Sequence, residues 1–203
     1  PMRGLIDERA HQADAGANWL FFGTRHQEDF YYQAEFEELA AKGKLNIRVA
    51  FSQDGVNAHF DPTAGHFQFT PGQRQYLDGE MLKEDNARLL WDMLRSTKDG
   101  GQGAYLYLCG RTAFASTVIE AIKQVIMRYI EGETLEARTE AANIMLYRLM
   151  GEDRLMLEIF TTYNGPHFDK VKARLRISEV VLHNNDEQGY WIIISGRVYD
   201  MNE

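Results

Sequence analysis

Cysteine and basic side chains are both scarce in this 203-residue chain. The single cysteine, Cys109, excludes an internal disulfide and a cysteine-based zinc site. With 22 basic and 30 acidic residues the formal charge is −8, which argues against non-specific nucleic-acid binding because that binding needs a basic surface. No segment approaches the roughly 20 consecutive apolar residues of a membrane-spanning helix, and the N-terminus lacks the apolar stretch of a signal peptide. The sequence therefore predicts a globular, cytoplasmic protein.

Apolar extended segments alternate with amphipathic ones along most of the chain. Hydrophobic residues make up 44% of the sequence, which is enough for a packed core. The patterns predict strands at 18–23, 45–51, 104–110 and 154–162, and helices at 27–42, 80–96, 111–132 and 134–151. Strands that alternate with helices of this length are typical of βαβ crossovers, so we predict an α/β fold with a doubly wound parallel sheet.

Two stretches depart from this alternation. Residues 54–72 are rich in turn-forming residues and are predicted to be an inserted surface loop. Residues 163–176 are polar and contain glycine and proline, so we interpret them as a linker. Residues 177–203 then predict a short helix, a turn and two strands, which form a small α+β tail.

Few side chains stand out as candidates for chemistry. His59 and His66 have no third ligand at metal-binding spacing, so no metal site is predicted. The glycines of 99–103 precede a strand instead of opening a helix, which indicates a turn and not a phosphate-binding loop. Cys109 ends a predicted strand, where ligands bind in α/β sheets, but it also fits a small buried apolar residue. Glu158 lies in an apolar strand, where a charge is costly without a partner.

Three segments resemble one family. They are FFGTRHQEDFYYQAEFEELAAKGKLNIRVAFS at 21–52, YLYLCGRTAFASTVIEAI at 105–122 and EDRLMLEIF at 152–160. In this order and spacing they resemble the nucleotide-binding half of the diflavin reductases, the group that includes the NADPH–haemoprotein reductases and the sulfite reductase flavoprotein. The resemblance implies a nucleotide-binding domain of ferredoxin–NADP reductase type over residues 1–162.

The resemblance also implies which residues meet the nicotinamide and the flavin. Cys109 matches the cysteine that lies beside the nicotinamide and assists hydride transfer. Glu158 matches a carboxylate, more often aspartate, that orients the cysteine and the nicotinamide. Phe160 matches the aromatic residue that stacks on the flavin ring. This set is chemically coherent because a carboxylate stabilises the positive charge that forms on the nicotinamide as hydride leaves.

The residues that match the adenosine end of the family site are Arg25, Ser52, Arg74 and Tyr76. The chain departs from the family pattern at three positions, which are Gln53, Asp78 and Arg111. Gln53 replaces a basic residue and Asp78 replaces a glutamine, and both changes remove attraction for a 2′-phosphate. The resemblance therefore implies NADPH as the donor, with weakened discrimination against NADH.

The tail at 178–203 resembles the first strands of a cytochrome b5 domain. Together the two resemblances imply an enzyme that takes hydride from NADPH or NADH onto FAD and passes electrons to a haem protein, with FMN and haem in regions outside this sequence. The partners implied are the nicotinamide nucleotide, a flavin domain of the same polypeptide and a haem-protein acceptor. Two alternatives stay open, a degenerate reductase module used for partner docking and a nucleotide-binding regulator.

The family comparison implies that the first strand of the sheet, at its centre, precedes this sequence. We therefore expect the chain on its own to have negligible reductase activity and little bound flavin. A sheet interrupted at its centre leaves unpaired backbone groups, each costing about 1–3 kcal/mol if buried. Residues 190–195, an apolar run of strand-forming residues, are a candidate to fill that position.

Overall fold

The computed structural model describes residues 2–12 and 16–160 and, further along, the backbone of residues 184–185, 189–194 and 197–200. The chain divides into two units, Pro1–Thr161 and Thr162–Glu203. The helices described in the first unit are α1 (Met2–His11), α2 (Gln33–Ala41), α3 (Leu77–Met81), α4 (Glu84–Leu94), α5 (Thr112–Tyr129) and α6 (Leu135–Gly151). Its strands are β1 (Trp19–Thr24), β2 (Asn46–Phe51), β3 (Val56–Asp61), β4 (His66–Pro71), β5 (Leu106–Arg111) and β6 (Leu155–Phe160).

Two of the predicted helices are interrupted by short non-helical segments. In the segment 27–42, residues 30–32 separate a single 3-10 turn from α2, and Tyr32 adopts a left-handed conformation with φ of 62°. In the segment 80–96, Leu82 and Lys83 separate α3 from α4, and Lys83 has an extended ψ of 143°. The sequence pattern gives the helical face correctly in both places, but it does not reveal these short breaks.

The prediction of a surface loop at 54–72 is wrong, because this segment forms an antiparallel hairpin. Strands β3 and β4 pair from Val56 opposite Pro71 to Asp61 opposite His66. The connecting turn is closed by Asp61, whose Oδ1 accepts hydrogen bonds from the backbone N–H groups of Thr63 and Ala64 at 2.8 and 3.1 Å. The turn-forming residues that suggested a loop therefore mark only the tip of the hairpin.

Parallel pairing occurs in two separate places instead of in one continuous sheet. Strand β1 pairs with β2, and β5 pairs with β6, both in parallel. Within the described residues no strand joins the two pairs, so the predicted single doubly wound sheet is corrected to two parallel pairs.

Helices α3 to α6 share one apolar core with parts of both parallel pairs. Helix α5 buries Val118, Ala121, Ile122, Val125 and Ile126, which recur at the spacing of one helical face. These side chains pack with Leu108 of β5 and Leu155 of β6. A second core, rich in phenylalanine, lies on the other side of β1 and β2 and includes Phe30, Phe36, Phe51 and Phe67.

The second unit contains a three-stranded antiparallel sheet. Its strands are β7 (Asn184–Asn185), β8 (Gly189–Ile194) and β9 (Arg197–Asp200), with β8 in the middle. The prediction that residues 190–195 complete the parallel sheet is wrong, because β8 pairs with β7 and β9, its neighbours along the chain. The predicted linker at 163–176 and the short helix after it lie outside the described residues.

Candidate active site

The ends of β1 and β2 bring Arg25, Ser52 and Gln53 together. Beyond the two strands the parallel ladder continues, because Ser52 N–H donates to Thr24 O at 3.0 Å and Gln53 N–H donates to Arg25 O at 2.9 Å. The Arg25 side chain is exposed, while Ser52 and Gln53 are half-buried. Three of the residues predicted to hold the adenosine end are therefore neighbours at the carboxyl end of one strand pair.

The segment after the hairpin returns to the same strand end. The backbone N–H of Gln75 donates to Phe51 O at 2.9 Å, which brings Arg74 close to the end of β2. Arg74 is exposed and lies near enough to Asp54 to contribute to lowering the pKa of that carboxyl. This exposed guanidinium and that of Arg25 are the charges that a phosphate group needs.

Tyr76 and Asp78, at the start of α3, lie in different surroundings. The Tyr76 ring is 68% exposed and free to meet a ligand. Asp78 faces a groove between α3 and α5, and its Oδ1 is buried without a hydrogen-bond partner among the described residues. The α5 side chains that line this groove with Asp78 include Ser116, Thr117 and Glu120.

Cys109 and Glu158 are direct neighbours across the β5–β6 ladder. They are register partners in the parallel pair, so their side chains lie side by side on one face. That face is opposite the one from which Leu108 and Leu155 pack into the helical core. Cys109 is half-buried and Glu158 is exposed, so a ligand can reach both. The fold thus joins two residues that are 49 positions apart in the sequence.

Phe160 continues the same face at the end of β6. It is the register partner of Arg111, two residues beyond the Cys109–Glu158 pair, and its ring is 52% exposed. Tyr107, two residues before Cys109 on this face, is 43% exposed. An exposed aromatic ring at a strand end is suited to stacking on a flat heterocycle.

A polar pocket next to the residues predicted to hold the adenosine end of the nucleotide was not predicted from the sequence. It has a volume of about 650 Å³ and is lined by His26, Gln27, Glu28, Phe30, Gln33 and Asp54. His26 Nδ1 lies 2.9 Å from Asp54 Oδ1, and the backbone N–H of Gln27 donates to Asp54 Oδ2 at 2.6 Å. These bonds and the nearby Arg74 lower the pKa of the Asp54 carboxyl. The one sequence feature that could have indicated this pocket is Asp54, an acidic residue shortly after β2, but it lies in a segment rich in turn-forming residues and was interpreted as part of a loop.

Within the part of the chain that the structure describes, no three histidine, cysteine or acidic side chains are placed to hold a metal ion. None of the described helices combines the length and the apolar character needed to cross a bilayer.

Comparison with known proteins identifies the family. The sequence model of the oxidoreductase NAD-binding domain matches residues 1–120, more than half of the chain. The chain belongs to this family. The match covers Cys109 as well as the residues at the ends of β1 and β2 that are predicted to hold the adenosine end of the nucleotide.

Individual members of the family are similar over parts of the chain. The sulfite reductase [NADPH] flavoprotein alpha-component of Vibrio cholerae is 32% identical over 133 residues, which is 64% of this chain and 17% of that protein. The NADPH-dependent diflavin oxidoreductase 1 of Gibberella zeae is 45% identical over 58 residues, 28% of this chain and 10% of that protein. Its mouse counterpart is 30% identical over 146 residues, 71% of this chain and 20% of that protein. The chain thus spans a fifth or less of the length of these relatives.

Proposed function

We propose that the chain is the nicotinamide-nucleotide module of a flavin-dependent oxidoreductase that takes hydride from NADPH. The main observation behind this proposal is the pairing of Cys109 with Glu158 on an open face of the sheet. A sulfur atom and a carboxylate side by side there match the chemistry of a nicotinamide site. The names of the similar flavoproteins, which include NADPH, support the same donor.

Each residue on the open face has a separate role at the nicotinamide end of the site. Bound NADPH supplies the hydride and FAD accepts it. The uncharged sulfur of Cys109 packs against the nicotinamide ring, and Glu158 stabilises the positive charge that the ring gains. The exposed ring of Phe160 would stack on the flavin ring, and it would have to move aside for the nicotinamide to reach the flavin. The partner in this proposal is a flavin domain of the same polypeptide.

The adenosine end is held at the carboxyl ends of β1 and β2. Arg25 and Arg74 supply the positive charges for the phosphate groups, Ser52 supplies a hydroxyl donor, and the exposed Tyr76 ring covers the adenine. Gln53, where the family has a cation, donates only a neutral hydrogen bond. We therefore propose NADPH as the preferred donor, with weakened discrimination against NADH.

Restoring the missing cation is expected to strengthen recognition of the 2′-phosphate. A charge-assisted hydrogen bond contributes about 1.5–3 kcal/mol, so Gln53→Arg should raise affinity for adenosine 2′,5′-bisphosphate roughly 10- to 150-fold. The measurement is calorimetric titration of the chain with this ligand and with 5′-AMP, which lacks the 2′-phosphate. Affinity for 5′-AMP should stay within threefold.

Asp78→Gln is the companion variant for the same titration. Asp78 is acidic where the family has glutamine, and the substitution should add to 2′-phosphate affinity if its side chain reaches the ribose.

An equal gain for both ligands from Gln53→Arg, or no gain at all, would rule out position 53 as part of the 2′-phosphate site.

We also propose that electrons pass from the flavin to a haem protein, with the tail as the start of a cytochrome b5-like domain. The support is the sequence resemblance of residues 178–203 alone. The test is the sequence of the complete reading frame. We expect a downstream HPGG motif, which holds the first haem-ligating histidine in the cytochrome b5 family, and absence of this motif would remove this part of the proposal.

A further inference from the structure

Asp54 joins the two loops that follow β1 and β2. Its Oδ1 accepts from His26 Nδ1 at 2.9 Å, and its Oδ2 accepts from the backbone N–H of Gln27 at 2.6 Å. An ionised carboxylate has no proton to donate, so the proton in the bond to His26 lies on Nδ1. Both carboxylate oxygens are therefore engaged by residues of the loop after β1.

This bridge directly follows, along both loops, the residues proposed to hold the adenosine end. His26 and Gln27 follow Arg25, while Asp54 follows Ser52 and Gln53. Behind the bridge the loops are joined by the backbone bond from Gln53 N–H to Arg25 O, at 2.9 Å. The backbone of Arg25 therefore accepts one hydrogen bond at its own carbonyl, and the two residues that follow it are bonded to the Asp54 carboxylate. The Arg25 side chain remains exposed.

We propose that Asp54 is a positioning residue, which fixes the backbone of the loop after β1 that carries Arg25, a candidate ligand of a nucleotide phosphate. The proposal rests on the proposed function, because it concerns the same nucleotide site. Fixing this loop before the ligand arrives lowers the ordering cost of binding. In this role Asp54 acts through the loop and not by contact with the ligand.

The charges around Asp54 are consistent with this role. His26 and Arg74 face the carboxylate, and Glu28 is the other acid that lines the adjoining pocket. The hydrogen bonds from Gln27 and His26, with the nearby charge of Arg74, lower the pKa of Asp54, so it stays ionised at neutral pH. An acid that acted on the nucleotide itself would instead repel a phosphate, and removing it would strengthen binding.

A double-mutant cycle separates positioning of Arg25 from a general effect on folding. We expect Asp54→Ala to lower affinity for adenosine 2′,5′-bisphosphate about 3- to 30-fold, the size of coupling seen between interacting neighbours. In the Arg25→Ala background the same substitution should change affinity less than twofold. His26→Ala breaks only one of the two bonds, so it should act in the same direction with a smaller effect. Titration calorimetry of the purified chain measures all of these affinities.

Asp61→Ala is the matched control. Like Asp54, Asp61 is held by hydrogen bonds that lower its pKa, here from the backbone N–H groups of Thr63 and Ala64, but it closes the hairpin turn instead of bridging the nucleotide loops. Its removal should leave affinity unchanged within twofold.

The outcomes distinguish two failures. If the wild-type chain does not bind the ligand, the proposed function fails and the role of Asp54 with it. If the wild type binds but Asp54→Ala and His26→Ala weaken binding equally with and without Arg25, or strengthen it, the positioning role alone is wrong. Should Asp54→Ala fail to fold, the His26→Ala cycle decides.

Discussion

Arg154→Met is expected to lower the free energy of unfolding by about 2–4 kcal/mol, because it leaves the carbonyl groups of Leu94 and Ala104 without the donor that Arg154 supplies. The Arg154 residue is only 8% exposed. Its guanidinium donates to Leu94 O at 2.8 Å, to Ala104 O at 3.2 Å and to Met93 O at 3.4 Å. Met93 O and Leu94 O belong to the last turn of α4, which has no further helical N–H groups to satisfy it. Met93 O also accepts from the backbone N–H of Ala104 at 2.9 Å, so Arg154 is not its only donor.

Methionine keeps most of the volume of the arginine side chain, so the expected loss reflects hydrogen bonding and not a cavity. Urea unfolding followed by circular dichroism measures it. Arg148→Met is the matched control, since Arg148 and Arg154 both form an ion pair with Glu152, at 3.1 and 3.5 Å, but the Arg148 side chain is 54% exposed. Surface ion pairs contribute about 0–1 kcal/mol, so this variant should lie within that range of the wild type. Equal losses from both variants would contradict the account of Arg154.

Cys109→Ala is expected to slow hydride transfer to flavin about 100- to 1,000-fold, the size of effect seen when one preorganised group is removed from a reacting centre. The sulfur of Cys109 is half-buried beside the carboxylate of Glu158, and alanine leaves a gap where the nicotinamide ring would pack. Stopped-flow recording of flavin absorbance measures the rate, with the chain joined to the flavin domain proposed as its partner.

Affinity for the nucleotide separates this role from a simple loss of binding. Because the adenosine end supplies most of the charge contacts, the dissociation constant for NADPH should change less than about threefold in Cys109→Ala. Met156→Leu changes a half-buried side chain on the same face, and it should leave the transfer rate within about twofold because volume-conserving substitutions are tolerated. A Cys109→Ala variant that transfers hydride at the wild-type rate would remove Cys109 from the reaction.

Local sequence patterns predicted the parts of the fold in which one face is apolar. The buried residues of α5 recur every three or four positions, so its helix is visible in the sequence. The hairpin was missed although Val56, Ala58 and Phe60 alternate with polar residues, because the turn formers at its tip dominated the interpretation. The break before α2 spans residues 30–32 and includes the left-handed Tyr32, and no local sequence pattern indicates it.

The candidate site depended on contacts that span long sequence separations. Register between β5 and β6 makes partners of Cys109 and Glu158, and residue patterns alone do not specify register across a crossover. The bridge between His26 and Asp54 joins residues 28 positions apart, and its polar members looked like ordinary loop residues. Family resemblance suggested Cys109 and Glu158 as candidate site residues, and these roles stay predictions, but it offered nothing on Asp54.

The most direct test of the central claim is a titration of the isotope-labelled chain with NADP⁺, followed by the backbone amide signals. We predict saturable one-to-one binding in which two groups of amides shift, those around Arg25, Ser52 and Arg74 and those around Cys109 and Glu158. Shifts confined to other surfaces, or no saturable change at millimolar nucleotide, would contradict the proposal that this chain is a nicotinamide-nucleotide module.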